Sequence, residues 1–356
     1  MKIYPILSGR PLLRLTSLVT GLAGFLALAT TAEAGTTYSK VWSMSRMFVP
    51  SNSDQWISVS GHAKTHFLGR IQSISGSTLQ VAGAPGWAAN AYTAGGTVGA
   101  CYIKALSGAD EGACFPIVSN GADSVSLGTS LNAPVASSLA VGDYIAVIPN
   151  WTLASWTDKP ADLTRFYLLN RSSTGINNGA VYSTDYYGAI NPATGQAWGW
   201  FEGSQDINGR TLEVDEVLTV RNIAATAFIH TQSGEISLTR HYRRLESPVA
   251  GAEQDHYLTF SGATPQAIGD LPTLPQDGDQ VYFFDASLAG INKGATYSAT
   301  YYAAINAATG QPWGWYAGAV DVNATEFLVP GTAVLYRQSE ASGGTTRAWT
   351  DLPDYL

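Results

Sequence analysis

Between residues 35 and 160 the chain alternates apolar and polar positions in short runs, each closed by Gly, Asn or Asp. A period of two sends successive side chains to opposite faces, so these runs predict strands. RIQSISGSTLQVAG reads as strand, Ser-Gly turn, strand, with Leu79 and Val81 on one face. GACYIKAL and GACFPIVS form a second hairpin, DSVSLGT follows Asn120-Gly121, and LAVGDYIAVIPNWTL ends the region with an apolar strand. Turn signals about every eight to twelve residues suit a small barrel or sandwich. No segment has convincing helical periodicity, and TDKPADLT (157–164) reads as a linker. SKVWSMSRMFV (39–49) reads either as the first strand of this module or as an edge offered to a neighbouring molecule.

Downstream the pattern repeats. Residues 175–208 and 290–323 align without a gap and are identical at 22 of 34 positions. Such self-similarity predicts duplication of one structural unit. The predicted organisation is all-β: an N-terminal small barrel or sandwich module over 35–160, then two duplicated β units. The first repeat covers 161–250, and linker strands with the second repeat cover 251–356.

Within the repeat, AINPATGQAWGWFEG returns as AINAATGQPWGWYAG. Pro192 to Gly195 supplies a turn, Pro setting an early φ and Gly accepting a positive one. A hairpin centred there sets Tyr187 opposite Trp200. It places Tyr187, Ala189, Trp198 and Trp200 on one face, with Tyr186, Ile190 and Phe201 on the other. The second copy offers Tyr302, Ala304, Trp313 and Trp315 in the same way. Large aromatics fill thin β cores, each burying roughly 150–250 Å². This packing reading predicts both faces buried. A second reading makes Tyr187, Trp198, Trp200, Tyr302, Trp313 and Trp315 a ligand platform, because sugar rings stack their C–H faces on aromatic planes. Self-association through the same faces is the third.

The remaining chemistry is sparse. Asp206-Ile-Asn208 and Asp321-Val-Asn323 suit turns better than calcium, which needs about six to eight oxygens. Gly175-Ile-Asn and Gly290-Ile-Asn read as loops requiring a permissive backbone, and match no phosphate-binding fingerprint. His62 and His66 are four apart in a strand-loop region, where that spacing does not converge on a metal. Neither G-x-S-x-G nor H-E-x-x-H occurs. Asp185 corresponds to Thr300 and Glu202 to Ala317, so the duplication preserves no acid pair. The sequence therefore predicts no catalytic residue, no metal site and no cofactor.

Composition adds an address. Lys2, Arg10 and Arg14, an apolar run from Leu15 to Ala29, and Ala32-Glu33-Ala34 describe a cleavable export signal over 1–34. The run is shorter than the roughly 20 residues of a membrane span. Removing the segment takes away three positive charges and one negative, moving the net charge from -8 to -10. An acidic surface without a basic stripe argues against nucleic acid as a partner. Cys101 and Cys114 are the only cysteines, and a hairpin folded about Ser107-Gly108 sets them opposite each other. In an oxidising compartment that predicts a disulfide.

VPSNSDQWISVSGHAKTHFLGRIQSISGSTLQV, YIKALSGADEGACFPIVSN, GDYIAVIPNWTL, VYFFDASLAGINKGATYS and FLVPGTAVLYR occur in this order. Together they resemble a family of secreted all-β proteins of Verrucomicrobia-like bacteria, one with no established activity. The resemblance implies export and architecture, and carries over no catalytic residues. The expected role is a non-catalytic structural or interaction protein of the cell exterior, self-associating or bound to a cell-surface partner. The alternative is polysaccharide binding through the Trp-Gly-Trp faces.

Overall fold

The computed structural model describes residues 42–351 except 60, 133–137, 157–159, 170–173, 178–179, 189–194, 196–197, 238, 246–250, 261–263, 271–274, 304–309, 311–312 and 341–345. The export signal read from residues 1–34 lies outside the described residues. The structure is all-β, and the only α-helical segment among the described residues is one turn, α1 (Leu153–Trp156). No described helix is long and apolar enough to cross a membrane.

Strands β1 (Trp42–Val49) and β2 (Ser53–Ser58) come first. The next six are β3 (Phe67–Ser75), β4 (Thr78–Val81), β5 (Cys101–Ala105), β6 (Cys114–Asn120), β7 (Ser124–Leu127) and β8 (Tyr144–Pro149). They close a barrel in the order β3-β4-β7-β6-β5-β8. Alternate residues point inward, so Ile71, Leu79, Val81, Ile103, Phe115, Val125 and Val147 fill the interior. β5 is buried on both faces. Its outward Tyr102 joins Cys114, Ala146 and Ile148 against Val214 of the neighbouring unit.

The first repeat continues with β9 (Arg165–Leu169), β10 (Ala180–Tyr187), β11 (Gly199–Glu202), β12 (Gln205–Asp206), β13 (Val217–Asn222) and β14 (Phe228–Glu235). The second begins with β15 (His241–Leu245), β16 (Gln254–Thr259), β17 (Gln266–Ala267), β18 (Gln280–Phe283) and β19 (Tyr297–Tyr302). It ends with β20 (Gly314–Ala317), β21 (Val320–Asp321), β22 (Phe327–Leu328), β23 (Ala333–Gln338) and β24 (Arg347–Asp351). The two main sheets have matching orders, β12-β11-β10-β9-β13-β2 and β21-β20-β19-β18-β23-β16. Each repeat adds a two-stranded ribbon, β1-β14 or β15-β24.

This pairing moves a boundary. β1 and β2 fall within the predicted N-terminal module, yet they pair with β14 and β13 of the first repeat. Val49, Ile57 and Val59 pack with Phe166, Leu168, Trp200 and Val220 in that repeat's core. The barrel is thus an insertion into the first repeat, after its second strand. β2 and β16 are equivalent edge strands, and their sequences SDQWISVSG and QDHYLTFSG match in pattern. β1 is hydrogen-bonded along its length to β14, so Trp42–Val49 is a strand of the first repeat and not of the barrel module, while residues 39–41 lie outside the described residues.

The two repeats embrace reciprocally. Asn292 N–H donates to Asp54 Oδ2 at 2.7 Å, and Asn177 N–H to Asp255 Oδ2 at 2.6 Å. Asp54 N–H donates to Gly290 O at 2.9 Å, and Asp255 N–H to Gly175 O at 3.1 Å. Each aspartate also receives a two-pronged pair from its own sheet. Arg221 reaches Asp54 at 2.7 and 2.8 Å, and Arg337 reaches Asp255 at 2.6 and 3.0 Å. An exchange in which each half gives the other the same loop is the signature of a two-fold interface, here built within one chain. The Gly-Ile-Asn loops need a permissive backbone because Asn177 and Asn292 adopt φ of 57° and 56°.

Candidate functional site

The repeated hairpin settles one residue away from the symmetric turn. Tyr186 pairs with Trp200 and Tyr187 with Gly199, while Tyr301 pairs with Trp315 and Tyr302 with Gly314. A one-residue slip exchanges the faces of one strand relative to the other. Tyr186, in place of Tyr187, therefore packs with Trp200, the rings 5.1 Å apart. Trp200 stacks on Phe166 at 4.2 Å and is 2% exposed. Its counterpart Trp315 is 3% exposed against Tyr301 and Tyr336.

The other tryptophan of each copy is outside. Trp198 is 52% exposed and Trp313 68%. Ordinary alternation puts residues two apart on one face, but Gly199 and Gly314 break it with φ of 144° and 143°. The space a Cβ needs there is occupied by the side chains of Asn208 and Asn323. Asn208 Oδ1 accepts from Trp200 N–H at 2.9 Å, and Asn323 Oδ1 from Trp315 N–H at 3.0 Å. Asp206 and Asp321 in turn accept from the N–H of Asn208 and Asn323, each at 2.9 Å. The repeated Asp-x-Asn is thus a turn that clamps the buried tryptophan's strand.

The six-residue platform does not form. Trp200 and Trp315 are core, while Trp198 and Trp313 face solvent. Tyr187 and Tyr302 are half-buried beside Phe201 and Tyr316, with rings 5.8 and 6.0 Å apart. The expectation that everything on both faces is buried holds for Trp200, Phe201, Trp315 and Tyr316, and fails for Trp198 and Trp313. Most of the connecting turns, with Ala189 and Ala304, lie outside the described residues.

The predicted disulfide is also corrected. Lys104 pairs with Cys114, so the strands are offset by three residues from the register that sets the cysteines opposite each other. Cys101 points into the barrel and Cys114 to its outer wall, and no bond joins them. Burial pushes the Cys101 thiol up to about 12. The histidine pair diverges, His66 meeting Tyr92 Oη at 3.1 Å and His62 the Ala63 carbonyl at 3.0 Å. No group of three or more His, Cys, Asp or Glu side chains among the described residues is placed to hold a metal ion.

Two features escaped sequence reasoning. One is a buried polar junction between barrel and repeats. There the Lys104 ammonium donates to Ser237 Oγ, and Glu235 accepts from Thr65 N–H and Oγ at 3.0 and 2.6 Å. The other is a cleft of about 460 Å³ between the repeats, lined by residues of both, including Trp56, Thr219, Tyr257, Phe284 and Lys293. Its signal in the sequence was the likeness of SDQWISVSG to QDHYLTFSG. Comparison with family models, curated proteins and solved structures gives no match.

Proposed function

We propose that this chain is an exported, non-catalytic interaction protein of the cell exterior that associates with further copies of itself. The observation that carries the association is the outer face of the β1-β14 ribbon. Trp42, Met44 and Phe48, with Ile229 across from Phe48, are all exposed there. Four large apolar side chains grouped on one ribbon form the kind of patch that proteins cover with a partner. Export is supported by the basic start, apolar run and Ala-x-Ala of residues 1–34. Sedimentation velocity across a wide concentration range tests the reading. Self-association is expected in the parent chain and lost in Met44→Glu/Phe48→Glu, and a parent that stays monomeric throughout refutes it.

A second reading rests on Trp198 and Trp313. The duplication keeps an exposed tryptophan at the same place in both copies, although Asp185 and Glu202 have no counterparts in the second. Both indoles are more than half exposed. Two equivalent aromatic faces on one molecule suit bivalent contact with a polysaccharide, where linkage raises avidity without new contacts. Pull-down on insoluble polysaccharides should retain the parent chain and release Trp198→Ala/Trp313→Ala.

A further inference from the structure

The repeats share the framework of their interface: Asp54 and Asp255, Arg221 and Arg337, Tyr167 and Tyr282, Asn292 and Asn177 occupy matching places. The cleft lining has diverged. Gln55 and Thr219 stand where the other half of the interface carries His256 and Leu335, and Lys293 aligns in sequence with Asn178. Leu335 is purely apolar, whereas Thr219 leaves room and a hydroxyl. The interface explains the constant framework and the Gln55 amide, whose Nε2–H donates to Ala286 O at 2.6 Å, and leaves Thr219 at the matching place of a leucine without a packing reason.

We propose that this cleft binds one carboxylate-bearing sugar ring, held against aromatic walls, with Lys293 as the counter-charge. The walls are Trp56, Tyr257 and Phe284. Trp56 stacks on Phe284 at 4.1 Å and meets Tyr257 at 5.0 Å, so they hold each other in place. Such surfaces suit the C–H faces of a sugar, and the Thr219 hydroxyl and the Gln55 Oε1 offer hydroxyl partners. Asp54 and Arg221 neutralise each other, and Asn292 adds a bond to each, so they serve as wall. Lys293 differs. Its ammonium donates to the main-chain carbonyls of Asp285, at 3.3 Å, and Leu288. Burial lowers its pKa, outweighing the opposite pull of Asp285 and Asp54. An added anion relieves that cost. The volume falls within the roughly 300–1,000 Å³ of small-molecule sites, which favour junctions between structural units.

The site is separate from the exposed tryptophans. β11, which follows Trp198, lies two strand spacings from β9, the nearest strand lining the cleft, roughly 10 Å, and four from β2. The test uses the full chain carrying Trp198→Ala and Trp313→Ala, with D-glucuronate and D-glucose titrated separately and binding read by saturation-transfer NMR. Saturable glucuronate binding is expected, with glucose at least tenfold weaker. Thr219→Leu installs the residue that the second repeat tolerates at the matching position, and should abolish binding while the melting curve stays close to the parent's. Gln55→His, again the second repeat's own residue, should weaken it. Lys293→Met should erase the preference for glucuronate. A folded protein that fails to bind glucuronate, or binds it undiminished after Thr219→Leu, overturns the site. Equal affinity for the two sugars overturns the carboxylate assignment. Because the surface tryptophans are absent, either failure leaves the proposed function to its own tests.

Discussion

Each repeat writes Trp-Gly-Trp once and uses its two indoles differently. Trp200→Ala or Trp315→Ala removes a fully packed side chain and should cost about 3–5 kcal/mol. Trp198→Ala or Trp313→Ala should stay within about 0.5 kcal/mol of the parent, as surface substitutions do. Urea unfolding of the four variants separates the classes, and equal losses in all four would sink the distinction. Gly199→Ala forces a Cβ into Asn208 at a positive φ, so it should lose about 1–3 kcal/mol. The cysteines give a further residue-scale expectation. Both are buried, and Cys101 is a thiol held protonated by its surroundings. Native protein should resist alkylation, and protein unfolded without reductant should take up two alkyl groups by intact mass. A mass showing none would restore the disulfide.

At the scale of elements, the reciprocal Gly-Ile-Asn loops turn two similar sheets into one body. Each loop ends on an aspartate already clasped by an arginine, and the arginine lies over a tyrosine ring, Arg221 on Tyr167 and Arg337 on Tyr282. Removing the charge from one member of a buried pair leaves the other without compensation, at a cost of about 3–5 kcal/mol. Arg221 keeps some solvent contact, so Asp54→Asn belongs at the lower end of that range. Asn292→Ala keeps the ion pair but loses its side-chain bond to Arg221, worth about 1.5–3 kcal/mol for a charged group and less where water competes. Chemical denaturation that finds Asp54→Asn as stable as the parent would show that the repeats hold together without this clasp.

The whole molecule should respond to acid through its buried histidines. Burial against Trp156 and Phe166 pushes His230 down to about 4, and burial followed by the nearby Lys104 charge lowers His241 well below its usual range. The unfolded chain takes up a proton near pH 6.5, while the folded His230 resists until about pH 4. Stability from this group is therefore complete above 6.5, falls as the pH drops, and levels off below 4. The slope is at most about 1.4 kcal/mol per pH unit per histidine. Denaturation at pH 7.5, 5.5 and 4.5 should show the decline, and His230→Phe should flatten it in part. An unchanged slope in that variant places the acid sensitivity elsewhere.

Local pattern was enough for the all-β class, the barrel hairpins and the duplication, because alternation, turn residues and self-similarity are written along the chain. The Asp-x-Asn turn was readable for the same reason, its bonds being made within a few residues. Register was not. The hairpin around residues 187–199 and the cysteine hairpin each slipped from the symmetric turn, which changed which tryptophan is buried and separated Cys101 from Cys114. Partner choice was not readable either. β2 carries the alternation of any strand, and only the core of Phe166, Leu168 and Trp200, more than a hundred residues away, decides that it joins the first repeat. The cleft belongs to that second level: the likeness of SDQWISVSG to QDHYLTFSG marks two of its walls as equivalent, but no local rule brings them together with Tyr167, Leu169, Thr219, Arg221, Phe284, Asn292 and Lys293.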